Sequence, residues 1–264
     1  MPDGIAGVTR FGGLPDLAPD FQHPIRTAYT YDRDSKSRHN DSVWISKPLS
    51  FLAQFNLEDL TKIGTDLPLP DKGILQFFYD VENQPWGFDP KDQPGFLVRW
   101  IEDTSKIVCA QQNDQRSYSV ELQPGDCLPG YEWVRNKLIS DGSYSIEELD
   151  KNFNLLDAGD LLYDLSDIGH CIGGWPDIIQ NPMELECQLA SNGLYLGSED
   201  GYRSEKAEQL KSGADDWRLL LQLESCEDIL NWIWGDVGTL YFWCREQDIA
   251  AKRFDRVWTV LQCF

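Results

Sequence analysis

Leu219-Leu220-Leu221-Gln222-Leu223, Trp234-Gly235-Asp236-Val237-Gly238, Leu240-Tyr241-Phe242-Trp243 and Val257-Trp258-Thr259-Val260-Leu261 follow one another near the end of the chain. They echo an earlier set: Phe51-Leu52-Ala53-Gln54-Phe55, Gly73-Ile74-Leu75-Gln76-Phe77-Phe78 and Phe96-Leu97-Val98-Arg99-Trp100. Gly12-Gly13-Leu14-Pro15-Asp16-Leu17 against Gly173-Gly174-Trp175-Pro176-Asp177-Ile178 fixes the register, with four of six positions identical. The offsets are 161 (Gly12 to Gly173), 168 (Gln54 to Gln222) and 165 (Gly73 to Gly238). Blocks in one order at a nearly constant offset are the mark of an internal repeat. The expectation is an α+β fold built by tandem duplication of two similar subdomains, with mainly antiparallel or mixed sheets and short helices. The repeats cover about 11–111 and 172–264, the connector 112–171, and all belong to a single domain of residues 1–264.

Working outward, the strands are short apolar runs bounded by turn residues. They are read at Leu49–Asn56, Gly73–Asp80, Phe96–Glu102, Ile107–Gln111, Trp217–Glu224, Gly238–Arg245 and Arg256–Cys263. Thr104-Ser105-Lys106 is read as a hairpin turn. Asn56 is suited to cap a helix over Leu57–Ile63. Ser145-Ile146-Glu147-Glu148 has the capping-box pattern. Short helices are also expected near Cys226–Asn231 and Gln247–Phe254. Met183–Leu189 reads as either a strand or one helical turn, and Tyr202–Asp216 as a polar loop or surface helix. Phe21–Asp41, with Arg26, Arg33, Lys36, Arg38 and His39, reads as a loop, the one basic island on an acidic chain. Nearly continuous apolar strands suit sheets covered on both faces.

Composition narrows the functional classes. With 264 residues, 41% of them hydrophobic and 10 tryptophans, the chain has ample material for a packed core. Lys+Arg total 23 and Asp+Glu 44, a net charge of −21. That field repels nucleic-acid phosphates and anionic lipid, and attracts basic partners. Met1–Ala6 shows no basic region followed by an apolar run, and no stretch approaches a membrane span. Seven scattered cysteines without a Cys-x-x-Cys pair suit free thiols in a reducing cytoplasm.

Candidate binding residues come from polar groups in structured surroundings. Gln54 and Gln222 interrupt apolar strands at matching places. They either line a cleft between the halves or bond the backbone of a neighbouring loop, since a buried amide must find partners. Asp236 sits in a Gly-flanked turn, where a carboxylate either faces a ligand or caps its own turn. His170 adjoins Cys171, but neighbouring strand residues face opposite ways, which argues against a nucleophile–base pair. No tight His/Cys ligand pair suggests a metal. Gly-x-Gly-x-x-Gly, phosphate-loop and Gly-x-Ser-x-Gly signatures are missing. No catalytic residue, metal or cofactor is assigned. Trp175, Gln180 and Trp234 complete the candidate set; tryptophans at strand spacing either stack on a sugar or fill the core.

Phe11-Gly12-Gly13-Leu14-Pro15, Phe51–Phe55, His170–Pro176 with Gln180, Leu219–Gln222 and Trp234–Trp243 together resemble the YwqG-like family of bacterial domains of unknown function. The resemblance covers about Phe11 to Cys263, and its most specific block is Trp-Gly-Asp-x-Gly-x-Leu-Tyr-Phe. It implies an α+β fold with tandem similar subdomains and brings no activity or catalytic residue. Some relatives sit near bacterial toxin genes, which implies a toxin-neutralising role. The basic Phe21–Asp41 stretch and the long acidic connector depart from the pattern. The expected function is a cytoplasmic binding protein of immunity type that neutralises a basic toxin. The alternative is a small-molecule or carbohydrate site in the cleft between the repeats.

Overall fold

A computed structural model describes residues 5–31, 42–110, 117–125 and 169–264, with single positions 129, 134, 139 and 145. The chain is a mixed α+β protein of antiparallel sheets and short helices. Twelve strands are described: β1 Arg10–Gly12, β2 Asp16–Leu17, β3 Ile25–Tyr31, β4 Ser42–Pro48, β5 Ser50–Asn56, β6 Ile74–Tyr79, β7 Phe96–Ile101, β8 Val108–Cys109, β9 Ser117–Ser119, β10 Trp217–Glu224, β11 Thr239–Arg245 and β12 Trp258–Gln262. The helices among the described residues are α1 Leu57–Ile63, α2 Glu184–Ser191, α3 Glu199–Arg203, α4 Glu205–Leu210, α5 Glu227–Leu230 and α6 Glu246–Ala250.

The larger sheet runs β7-β6-β5-β1-β9 and the smaller β10-β11-β12. Their central strands are buried almost end to end, as their apolar runs require. One hydrophobic cluster spans both sheets. Phe77 meets Phe242 edge-on at 5.2 Å, Tyr79 meets Trp234 at 5.8 Å and Phe96 meets Trp258 at 5.3 Å. Edge-to-face pairs of this kind add about 0.5–1.5 kcal/mol each beyond their buried area. The backbone is stitched across as well: the Trp258 indole donates to Gly87 O at 2.8 Å, and Leu261 N–H to Trp86 O at 3.2 Å.

The two sheets share details at the offsets read from sequence. Arg10 pairs Gln54 in β1–β5, and an isolated bridge pairs Cys171 with Gln222. β5 bulges between Phe51 and Ala53, β10 between Leu219 and Leu221. Leu57 N–H donates to Gly73 O, and Ser225 N–H to Gly238 O. Gly12 and Gly13 have φ of 68° and 73°, Gly173 and Gly174 of 72° and 71°. Both corners therefore turn through the left-handed region that glycine reaches without strain.

Helix α1 forms where expected, with the Asn56 side chain accepting from Glu58 N–H at 3.0 Å. Several expectations need correction. Phe21–Asp41 is not a loop throughout: Ile25–Tyr31 is β3, paired with β4 along its length. β-branched and aromatic residues alternate with others there, a signal the local basic charge obscured. β8 pairs with β2 rather than closing a hairpin onto β7, and the turn between β7 and β8 holds Ser105 donating to Asp103. Where the sequence leaves two alternatives open, the helical one is found: α2 begins at Glu184 with Met183 as its N-cap, and Tyr202–Asp216 is helical through most of its length. The capping box at 145–148 and most of the connector lie outside the described residues.

Candidate functional site

The two glutamines lie in matched corners. Gln54 is fully buried; its Oε1 accepts from Asp16 N–H at 3.1 Å, and its Nε2 donates to Val8 O at 2.9 Å and Asp16 Oδ2 at 2.7 Å. Gln222 is equally buried; its Oε1 accepts from Asp177 N–H at 2.9 Å, and its Nε2 donates to Gly169 O at 2.8 Å. Gln76 Nε2 donates to Asp16 O, and the Tyr241 hydroxyl to Asp177 O. Both amides thus hold the aspartate that follows a Gly-Gly-x-Pro turn, and neither projects a free group into solvent. In the first corner Asp16 also accepts from Gly7 N–H and from Arg10, 2.8 Å away, so its buried carboxylate is surrounded by donors.

His170 is also turned inward. Its Nδ1 accepts from Glu224 N–H at 3.0 Å, which leaves the proton on Nε2, and its ring packs edge-on against Phe11 at 5.2 Å. Burial lowers its pKa and keeps it neutral. Thr9 holds the matching place in the first sheet, its hydroxyl accepting from Asn56 N–H. Gln180 is exposed and hydrogen-bonds to Gln262 and the Cys263 carbonyl. The candidate residues therefore do not converge on one pocket between the sheets. Among the described residues no group of three His, Cys, Asp or Glu is placed to hold a metal, and no helix is long and apolar enough to cross a membrane.

Two surface features remain, and the sequence candidates touch both. The first is the corner carrying Trp234 and Asp236. Trp234 is buried beneath it against Tyr79 and Trp232. Asp236 is exposed, and Val237 is 65% exposed with φ 54°. Left-handed backbone at a β-branched residue is strained. The Gln84 side chain joins this loop to the preceding half, donating to Ile233 O at 2.9 Å and accepting from Gly235 N–H at 2.8 Å. Trp86, Ile229, Ile233 and Val237, carried on the joined loops and on α5, are four of the nine large apolar side chains exposed among the described residues. Glu227, Asp228 and Asp236 are exposed in the same stretch of chain, and no Lys or Arg occurs between Arg218 and Arg245.

The second feature is a cleft of about 940 Å³ on the smaller sheet beside α2. Trp175 and Leu185 border it, Trp217 and Trp243 form its buried floor, and Glu186 lines its side. Burial, reinforced by neighbouring Glu184, raises the Glu186 pKa to about 7. One of its oxygens lies 3.5 Å from the Tyr202 hydroxyl; the other is shielded and has no hydrogen-bond partner in the protein. Trp175 is the one sequence candidate that borders this cleft. Glu186 was visible only as one acid among many, and Trp86, Ile233 and Val237 carried no sequence signal beyond their loops.

An antiparallel α+β protein with buried amide corners is defined by this geometry. The chain belongs to the family described as a domain of unknown function, DUF1963, whose model matches residues 9–263. No curated protein matches it in sequence.

Proposed function

We propose that this chain is a cytoplasmic binding protein, and that it engages a basic protein through the surface of Trp86, Ile229, Ile233 and Val237. The observation that carries this reading is that four exposed apolar side chains lie on loops joined through Gln84 and on α5, with exposed Glu227, Asp228 and Asp236 in a stretch, 219–244, that has no Lys or Arg. Contiguous apolar groups rimmed by charge are the usual form of a protein interface. The net charge of −21 would steer a cationic partner towards it. A toxin domain neutralised by an immunity-type protein is a partner of this kind. The same reading takes the two sheets as copies of one unit: a tandem duplication explains why offsets of 161, 165 and 168 relate hydrogen bonds, bulges and glycine turns alike. In that account the paired amides became a shared scaffold, and function moved to loops that differ between the copies.

The test is calorimetric titration with a synthetic peptide alternating lysine and leucine, and with its glutamate–leucine counterpart. The lysine peptide should bind, weaken as salt is raised, and lose about tenfold in affinity to Val237→Asp. Equal binding of both peptides, or binding unaffected by Val237→Asp and Ile233→Asp, would overturn the reading. A small-molecule role has one observation in its favour, the cleft beside α2.

A further inference from the structure

We infer that the cleft bordered by Trp175 and Glu186 is a binding site for an organic cation of the alkylammonium type. It shares no residue with the surface proposed for the basic protein, so the two assignments stand or fall separately.

Trp175, Pro176, Pro182 and Leu185 offer apolar surface at the rim, and the rings of Trp217 and Trp243 close the bottom. Indole rings attract cations through their electron-rich faces, most strongly where water is excluded. The neighbourhood already does this once, since the Arg245 guanidinium lies 5.1 Å over the Trp217 ring. Charge comes next. The cleft is lined by Asp66, Glu184, Glu186 and Asp215 against Lys211 and Arg218. Both cations are engaged elsewhere, Lys211 with Glu208 and Arg218 with Glu246 at 2.8 Å. Asp66 accepts from Gly174 N–H at 3.1 Å, so it is partly committed.

Glu186 is the group that asks for a ligand. A shielded carboxylate oxygen without a donor is costly to the fold, and such groups are normally paired. Neighbouring Glu184 adds to the cost, and the hydrogen bonds from Glu186's own backbone and from Tyr202 offset only part of it. A bound cation would supply the missing counter-charge. An anion would meet Glu186 and Glu184 directly, and a neutral sugar would leave the charge unpaired. Volume is compatible: about 940 Å³ is within the range of small-molecule clefts.

Binding of a cation must favour the ionised form of Glu186, so near neutral pH it should expel a fraction of a proton. This separates the site from general attraction to an acidic surface. The experiment titrates the full chain with tetramethylammonium, and with neopentyl alcohol as its neutral isostere, by calorimetry at pH 7 in two buffers of different ionisation enthalpy. Tetramethylammonium should bind saturably, release protons and exceed the alcohol by about tenfold. Glu186→Gln should abolish the proton release and lower affinity by a similar factor. Trp175→Leu should weaken binding while leaving proton release per bound cation unchanged. Circular dichroism and the thermal transition identify variants that retain the fold; Glu186→Asp serves if Glu186→Gln does not. Equal affinity for the alcohol, cation binding without proton release, or a folded Glu186→Gln chain that binds as the parent does would each overturn the assignment.

Discussion

At the scale of single residues, the chain separates groups that hold the fold from groups that face outward. Gln54 satisfies one backbone N–H and one carboxylate oxygen in buried bonds, and the Val8 carbonyl in a partly buried one. Gln54→Leu should therefore cost about 3 kcal/mol in chemical denaturation, since stranded buried polar groups cost about 1–3 kcal/mol each. Gln222→Leu should cost less, because its partners Gly169 and Asp177 are closer to solvent. Glu186 behaves in the opposite sense. Its folded pKa of about 7 lies above the ordinary 4.5, so the folded state holds the proton more tightly. Stability should fall as pH rises from about 4.5 through 7, and stay reduced above that. Glu186→Gln should remove this decline, leaving the variant relatively more stable at pH 8 than at pH 5 by about 2 kcal/mol. Denaturation curves of parent and variant at both pH values check it; an unchanged difference would mean the carboxyl is paired. The glutamines were legible in the sequence because they break apolar runs at matching places. What they bond was not, because partners such as Val8 and Gly169 are backbone groups that any residue supplies.

At the scale of elements, the contact between Gly87 and β12 is among the tightest glycine approaches of the described residues. Gly87 has φ +87°, and a Cβ added there would meet Thr259 O at 2.0 Å. Gly87→Ala should destabilise the chain by about 2–3 kcal/mol and weaken the Trp258 indole bond to Gly87 O. Thermal melting measures the first effect, and the Trp258 indole proton resonance the second. The buried strands β5, β6 and β10 to β12 were readable because apolar runs bounded by turns report burial directly. The β3–β4 hairpin and the β2–β8 pair were not. β8 is two residues long and β3 mixes charges with β-branched positions, so their pairing depends on where the larger sheets hold the chain.

At the scale of the whole molecule, the hydrophobic core runs through both sheets without a break. Phe77, Tyr79 and Phe96 have as their neighbours Phe242, Trp234 and Trp258. Neither sheet can bury its apolar face without the other, so unfolding should be one cooperative transition. Tryptophan fluorescence and far-ultraviolet circular dichroism should coincide through a denaturant series; two separated transitions would show independent halves. The proposed interface lies on loops between the two sheets, and loops are where binding residues concentrate. The sequence announced the matching blocks and the Trp-Gly-Asp-Val-Gly loop. It could not announce the surface, because Trp86 and Val237 lie far apart in the chain and are joined through Gln84.

The most direct test of the proposed interface is nuclear magnetic resonance mapping of the full chain during titration with the lysine–leucine peptide. The account predicts shifts concentrated on the Trp86 indole and the methyls of Ile229, Ile233 and Val237, reversed by high salt. Shifts spread evenly over the acidic surface, or gathered away from the loops joined by Gln84, would contradict it.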